Sequence, residues 1–214
     1  MNELSPVQLR LARVLFELPE ANGYALAGGA ALILRRVVIR STRDLDAFIG
    51  ARPGPDSGTV DELADALAAA LRQQGWEVRA ARRHPTFCRF VVDCDGETVE
   101  VDLAVDSPSL EAPQQVDGIP VLTPLDLAAR KVLAIVDRLE ARDYTDLHAL
   151  AALVGQLTCI DAALSMDAGL RKSDIAEAFD RVQRLTDETF PPASDNPASI
   201  RGYFTAWAND LAAD

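Results

Sequence analysis

Lysine is scarce in this chain: only Lys131 and Lys172 stand among 21 basic side chains in 214 residues. Histidine is equally sparse, and His84 and His148 lie far apart, which leaves little for zinc chemistry. The three cysteines, Cys88, Cys94 and Cys159, have no metal-type spacing. An odd, thin set of this kind points to reduced cytoplasmic thiols rather than a disulfide framework. No apolar run reaches the roughly 18 residues of a membrane span. The opening Met1-Asn2-Glu3-Leu4-Ser5-Pro6 also lacks the basic start of a signal peptide. Membrane is therefore not an expected partner, and a cytoplasmic location is. Positive charge is lacking overall: the net charge of −12 argues against a generic nucleic-acid binder, because phosphate contacts need cations. Hydrophobic residues, at 49%, are plentiful enough to build a substantial core.

Such positive charge as there is comes in clusters. Arg35, Arg36, Arg40 and Arg43 share a stretch without an acid, and so do Arg79, Arg82, Arg83 and Arg89 with His84 between them. These clusters are either solvated surface arginines or a collector for a polyanionic substrate beside an acidic face.

The patterning divides the chain. Ser5-Pro6-Val7-Gln8 has the form of a capping box with a first-turn proline, opening a helix to about residue 17. A short apolar strand over 24–27 ends at Gly28-Gly29, and a short helix follows. Residues 45–49 read as a strand and 50–58 as a Gly- and Pro-rich loop. Thr59 caps a helix to about Gln74 with Leu63, Leu67 and Leu71 at helical spacing. Strands are expected over 76–80, 86–92 and 97–105, the last two joined by the hairpin signal Asp95-Gly96. From about Gln114 onward the pattern is helical, over 124–139, 144–154, 161–166, 173–187 and 198–212. Tyr203, Phe204 and Trp207 in the last helix are read as packing. The fold class expected is α+β: a mixed sheet flanked by helices over 1–113, then a helical domain over 114–214.

The densest signal is Gly28-Gly29, a helix, and then Asp44-Leu45-Asp46. Along a strand alternate side chains share a face, so both carboxylates point the same way, roughly 7 Å apart at the backbone, while Leu45, Ala47 and Ile49 turn to the core. Asp102, mid-strand on the polar side of 97–105, supplies a third acid. Three such acids suit two magnesium ions about 4 Å apart, one activating a hydroxyl and one holding a triphosphate. The Gly-Gly turn lets the backbone approach a phosphate, and the helix behind it opens toward one. Lys131 sits on an amphipathic helix, where a flexible ammonium reaches a phosphate as a point charge. Asp143 and Asp146, three apart, share a helix face and either accept from Arg142 or orient Lys131. Arg43 either covers the triphosphate or pairs with Asp102.

These motifs carry a resemblance. Gly28-Gly29 with Arg40-Ser41-Thr42-Arg43-Asp44-Leu45-Asp46 resembles the first motif of the polymerase-β-type nucleotidyltransferase superfamily. Leu26-Ala27-Gly28-Gly29-Ala30-Ala31-Leu32 together with Leu127-Ala128-Ala129-Arg130-Lys131-Val132 and Arg142-Asp143-Tyr144-Thr145-Asp146-Leu147 is similar to the AbiEii/MenT nucleotidyltransferase toxins of bacterial toxin–antitoxin systems. The match runs from about Tyr24 to Leu150. The resemblance implies a polymerase-β-like core and a magnesium-dependent enzyme that moves NMP from NTP to the 3′ end of tRNA, releasing pyrophosphate and blocking translation. It implies Asp44, Asp46 and Asp102 as metal ligands, and Lys131 and Asp146 as further catalytic residues. Gly28, Gly29, Ser41, Thr42, Arg43 and Lys131 become nucleotide contacts. A cognate antitoxin is implied, in some relatives kinase-like, with Thr42 as the hydroxyl it would phosphorylate beside the metal site. Arg79, Arg82 and Arg83 are the candidate RNA contacts. Two other readings stay open: transfer to an aminoglycoside-like small molecule or a protein hydroxyl, and a non-catalytic nucleotide- or partner-binding module.

Overall fold

The computed structural model describes residues 4–50, 54, 56–192 and 196–213; the expected loop over 50–58 falls partly outside them. The chain forms two compact units. One runs up to Arg36 and resumes from Ser41 to Leu122; the other takes Val37–Arg40 and continues from Thr123.

The first unit is built on a sheet. Its elements are α1 (Pro6–Glu17), β1 (Ala25–Ala27), α2 (Gly28–Leu34), β2 (Asp44–Gly50), α3 (Val60–Gln73), β3 (Glu77–His84), β4 (Phe87–Cys94), β5 (Glu97–Asp106), β6 (Gln114–Val116) and β7 (Ile119–Val121). Among the described residues the strand order is β3-β4-β5-β2-β1-β7-β6. The sheet is mixed: β2 runs parallel to β5 and β1 to β7, while the other neighbours are antiparallel. Local chemistry accounts for the hairpins. Asp95 and Gly96 both take positive φ (52° and 78°), as a two-residue turn matched to strand twist requires. Asp117 and Gly118 repeat this (51° and 80°) between β6 and β7. That second hairpin was not expected from the sequence, because strands of three residues are too short to show alternation. It joins the sheet, so the helical region begins at Thr123 rather than near Gln114.

One face of the sheet is core. Cys88, Phe90 and Val92 of β4 and Val99, Val101 and Leu103 of β5 are buried there, with Leu45, Ala47 and Ile49 of β2. The helix α3, capped by Thr59 and Glu62 as expected, brings buried Leu63, Leu67 and Leu71 against β3, β4 and β5. Fully burying each such leucine contributes about 1.5–3 kcal/mol, so this layer holds the sheet and leaves its other face for polar side chains.

The second unit is helical: α4 (Pro124–Asp137), α5 (Ala141–Val154), α6 (Gln156–Met166), α7 (Lys172–Asp180) and α8 (Pro197–Ala213). The Thr123 hydroxyl accepts from the Asp126 amide and starts α4, with Pro124 in the first turn. Gly155, at φ 88°, separates α5 from α6, which starts five residues earlier than the pattern suggested. The helix expected over 173–187 stops at Asp180 and continues as a single 3₁₀ turn, Arg181–Arg184. The core is aromatic: Phe204 meets Tyr144 and Phe179 edge to face at 5.0 and 5.1 Å between ring centres, and Trp207 lies 4.8 Å from Phe179. The packing role expected for Phe204 and Trp207 is what the structure shows; Tyr203 lies against His148, 4.5 Å between ring centres. Among the described residues no single helix is long and apolar enough to cross a membrane.

Candidate active site

The two aspartates of β2 lie where the alternation places them. Asp44 and Asp46 are half-buried on the polar face, while Leu45 and Ala47 are buried behind them. The parallel register sets Asp44 opposite Glu100 and Asp46 opposite Asp102, so four acids occupy two adjacent rows on neighbouring strands. On the other side Asp46 is opposite Ala27, the residue before α2. Gly28 follows with φ +59°, and a Cβ built there would lie 1.8 Å from Oδ2 of Asp46. Only glycine fits, for two reasons: the left-handed backbone and the carboxylate that fills the space a side chain would need. The Gly-Gly turn thus brings main chain directly against the second aspartate. Gly29 is half-buried beside it.

Asp102 is the most buried of these acids, 7% exposed. It is gripped by Arg89 of β4, its register partner, in a two-pronged fork: Nε to Oδ1 at 2.7 Å and Nη2 to Oδ2 at 2.6 Å. Paired chiefly by these bonds, the Arg89 guanidinium is held well above its ordinary pKa. A further contact to Glu100 spans 3.4 Å. Arg89 therefore takes the role that the sequence reading offered to Arg43. The Arg43 side chain is exposed, and its carbonyl accepts from the Glu100 amide at 3.1 Å. Among the described residues no three His, Cys, Asp or Glu side chains are grouped so that they could hold a metal ion. The expected trio is in this arrangement two aspartates beside a third acid already bound by arginine.

The register also sorts the arginine cluster. Arg82 pairs with Arg89, and Arg79 with Val91 opposite Glu100, so Arg79 and Arg82 share the carboxylate face. Arg83 pairs with Cys88 and points to the other face. There it bonds Asp61 and Asp65 of α3, each at 2.7 Å. Of the three arginines grouped as RNA contacts, Arg83 is thus a sheet-to-helix tie, because a β-strand sends successive side chains to opposite faces.

The entry to β2 is set by a residue that sequence reading assigned only to a helix cap. Gln8 closes the capping box of α1, its Oε1 accepting from the Ser5 amide at 2.9 Å, and its Nε2 donates to the Thr42 carbonyl at 2.8 Å. One buried side chain so fixes both a helix start and the backbone two residues before Asp44. Thr42 is half-buried and Ser41 exposed.

In the helical unit Lys131, Asp143 and Asp146 do come together, and they are deeply buried. The Lys131 ammonium is 2.8 Å from Oδ1 of Asp143 and 2.8 Å from Oδ2 of Asp146. Arg40 forks onto Asp146 at 2.9 and 2.8 Å, and Arg138 onto Asp143 at 2.8 and 3.2 Å. The result is a chain of alternating sign, Arg40–Asp146–Lys131–Asp143–Arg138, in which both aspartates are fully buried. Burial works to raise the Asp143 pKa, but Lys131 and Arg138 outweigh it and hold the carboxyl below its ordinary value. Arg142, the other partner considered for these acids, bonds Glu140 at 2.7 Å. Arg40 is read from the sequence as part of a basic cluster, and neither it nor Arg138 is assigned there to these acids. Their signal was the need of two buried carboxylates for more than one lysine.

The geometry meets its family in sequence. The profile of the AbiEii nucleotidyl transferase toxins, of type IV toxin–antitoxin systems, matches residues 10–212. The chain belongs to that family. Membership makes it a nucleotidyltransferase toxin by lineage, with an NTP as substrate and an antitoxin as partner. No curated protein matches the sequence. Similar solved folds include JHP933 from Helicobacter pylori, 18% identical over 98% of this chain and 93% of that one, with a TM-score of 0.61. MenT4, a nucleotidyltransferase toxin from Mycobacterium tuberculosis H37Rv, is 18% identical over 95% of this chain and 82% of its own, with a TM-score of 0.55. The antibiotic-resistance factor ANT(2'')-Ia is 13% identical over 74% and 90%, with a TM-score of 0.50. These neighbours share the α+β nucleotidyltransferase fold with this AbiEii member.

Proposed function

We propose that this AbiEii toxin transfers NMP from an NTP to the 3′ end of tRNA, releasing pyrophosphate and blocking translation. The observation that carries the reading is the Gly28–Asp46 contact: main chain laid against one of two parallel carboxylates on an accessible sheet face. An all-oxygen, half-exposed donor pair of this kind fits a hard divalent cation. Asp44 and Asp46 would hold magnesium, with Asp102 joining when Arg89 lets it go. The bound ion would supply charge neutralisation at the transferring phosphoryl group and a lowered pKa for the attacking hydroxyl. The chain's own groups do the positioning. Gly28 and Gly29 admit the phosphates close to backbone amides, and Arg43 and Ser41, exposed before β2, reach out to the nucleotide. Lys131 is assigned to the triphosphate, with Asp143 and Asp146 fixing its ammonium; engaging a phosphate means exchanging one carboxylate contact for another anion.

Regulation follows from the same stretch. A phosphate on Thr42 adds nearly two negative charges two residues before Asp44, which repels a triphosphate and opposes transfer. An antitoxin with kinase chemistry would therefore silence the enzyme there.

The test is incubation of purified protein with labelled NTPs, magnesium and total RNA. Label in tRNA, lost in Asp44→Ala, is the expected result. Label only in an added aminoglycoside or in protein overturns the tRNA reading. The net charge of −12 favours that second class of acceptor, since a polycationic sugar is attracted by an acidic surface.

A further inference from the structure

The polar face of the sheet is not uniformly polar. Phe87 is half-buried on it, one residue before the buried Cys88 of the core face. Its register partner on β5 is Ala104, and beyond Ala104 on β2 is Phe48, also half-buried. An aromatic–alanine–aromatic strip thus runs beside the charged row Arg82–Arg89–Asp102–Asp46. The guanidiniums of Arg82 and Arg89 lie 5.4 and 5.9 Å from the Phe87 ring centre, within cation–π range. Arg89 forks onto Asp102 in this structure, whereas Arg82 is exposed on β3. Two strand spacings and one row separate Phe87 from Asp46, about 10–12 Å at the backbone.

A ring, two guanidinium planes and exposed basic groups on one sheet face make the arrangement on which single-stranded nucleic acid stacks its bases. We propose that Phe87 is a stacking subsite for a base near the acceptor's single-stranded end, with Arg82 moving from the ring to the flanking phosphate as the base takes its place. The proposal rests on the RNA-acceptor reading above and adds to it the residue that seats the strand. The short distance to Asp46 lets a strand that stacks on Phe87 run on to the aspartates. The acidic end of the same face, Glu77 and Asp93, gives the strand a direction by repelling its phosphates.

The experiment uses the full chain and a short single-stranded RNA carrying 2-aminopurine, whose fluorescence is quenched on stacking, with binding of NTP measured in parallel. Phe87→Leu keeps apolar volume and loses the aromatic face; Phe87→Trp keeps a face. The expected result is RNA affinity about tenfold or more weaker in Phe87→Leu, with the quench lost, both retained in Phe87→Trp, and NTP affinity unchanged in each. Wild-type RNA affinity and quench in Phe87→Leu overturn the proposal while RNA transfer by the same variant leaves the acceptor reading standing. Loss in both variants also overturns it, because that pattern marks packing rather than stacking. A wild-type protein that neither binds nor modifies RNA overturns the subsite together with the reading beneath it.

Discussion

The sheet unit and the helical unit each gather aspartates with basic side chains, and they use them in opposite ways. On β2 the carboxylates of Asp44 and Asp46 stay half-exposed on an open face, against the backbone of Gly28. In the helical unit Asp143 and Asp146 are fully buried, and Arg40, Lys131 and Arg138 enclose them. Identical chemical groups lie half-buried on a sheet face in one setting and fully enclosed in the other. Burying a charge is costly unless it is paired on every side, so a fully enclosed acid answers first to the fold. An acid on the open face keeps part of its contact with water and carries less of that cost. Asp102 lies between the two cases, buried on the same face as Asp46 and held by the fork of Arg89.

Substitutions can break that contrast, and the largest effect is expected on the open side. Asp46→Asn should lower nucleotide transfer by more than ~100-fold, since even residues behind a metal ligand typically cost 10–100-fold. Its melting temperature should stay close to wild type. Lys131→Met should do the reverse in emphasis: leaving two buried aspartates short of a cation costs about 3–5 kcal/mol in denaturant unfolding. A Lys131→Met protein as stable as wild type would make the lysine a substrate contact without a structural role. Next comes Gly28→Ala, which demands a strained backbone worth about 1–3 kcal/mol and pushes the Asp46 carboxylate aside. Activity should fall further than stability in that variant, as read by transfer rate against melting temperature.

Acid sharpens the same comparison. The folded-state pKa of Asp143 is depressed, so its contribution is fully present above the usual carboxylate value of about 4 and is lost as pH falls below it. Stability measured from pH 6 down to 2 should therefore drop below about pH 4, and Asp143→Asn should flatten that part of the curve. The smallest expected effect separates neighbours on β3. Arg82→Glu should weaken RNA binding, and Arg83→Glu, on the α3 side, should leave it nearly unchanged; equal losses in a binding titration would mean that the two faces are not distinct.

The β2 site was legible in the sequence because strand period and glycine chemistry act locally. Asp44, Leu45 and Asp46 declare their faces by alternation alone, and Gly28-Gly29 marks the turn. The helical motif was legible as a set, since Lys131, Asp143 and Asp146 do meet. What could not be read was pairing at long range. Arg89 and Asp102 are 13 residues apart and meet through hairpin register, and Arg40 reaches Asp146 across 106 residues. Arg83 was grouped with Arg82 because they are adjacent, although adjacency in a strand means opposite faces. The hairpin β6–β7 escaped because its strands are three residues long, even though Asp117-Gly118 carries a turn signal as good as Asp95-Gly96.

The tie between Arg40 and Asp146 has a consequence for anyone who would divide this gene. Val37–Arg40 belongs to the helical unit although it is encoded between α2 and β2. A cut after codon 122 therefore does not release an autonomous helical fragment: it strands four of that unit's residues on the other piece and removes the two-pronged cation from Asp146. Split-protein halves joined only by diffusion would need to hand this tetrapeptide back before the helical half could close. A fusion of residues 37–40 to the start of the 123–214 fragment should restore solubility that the bare fragment lacks.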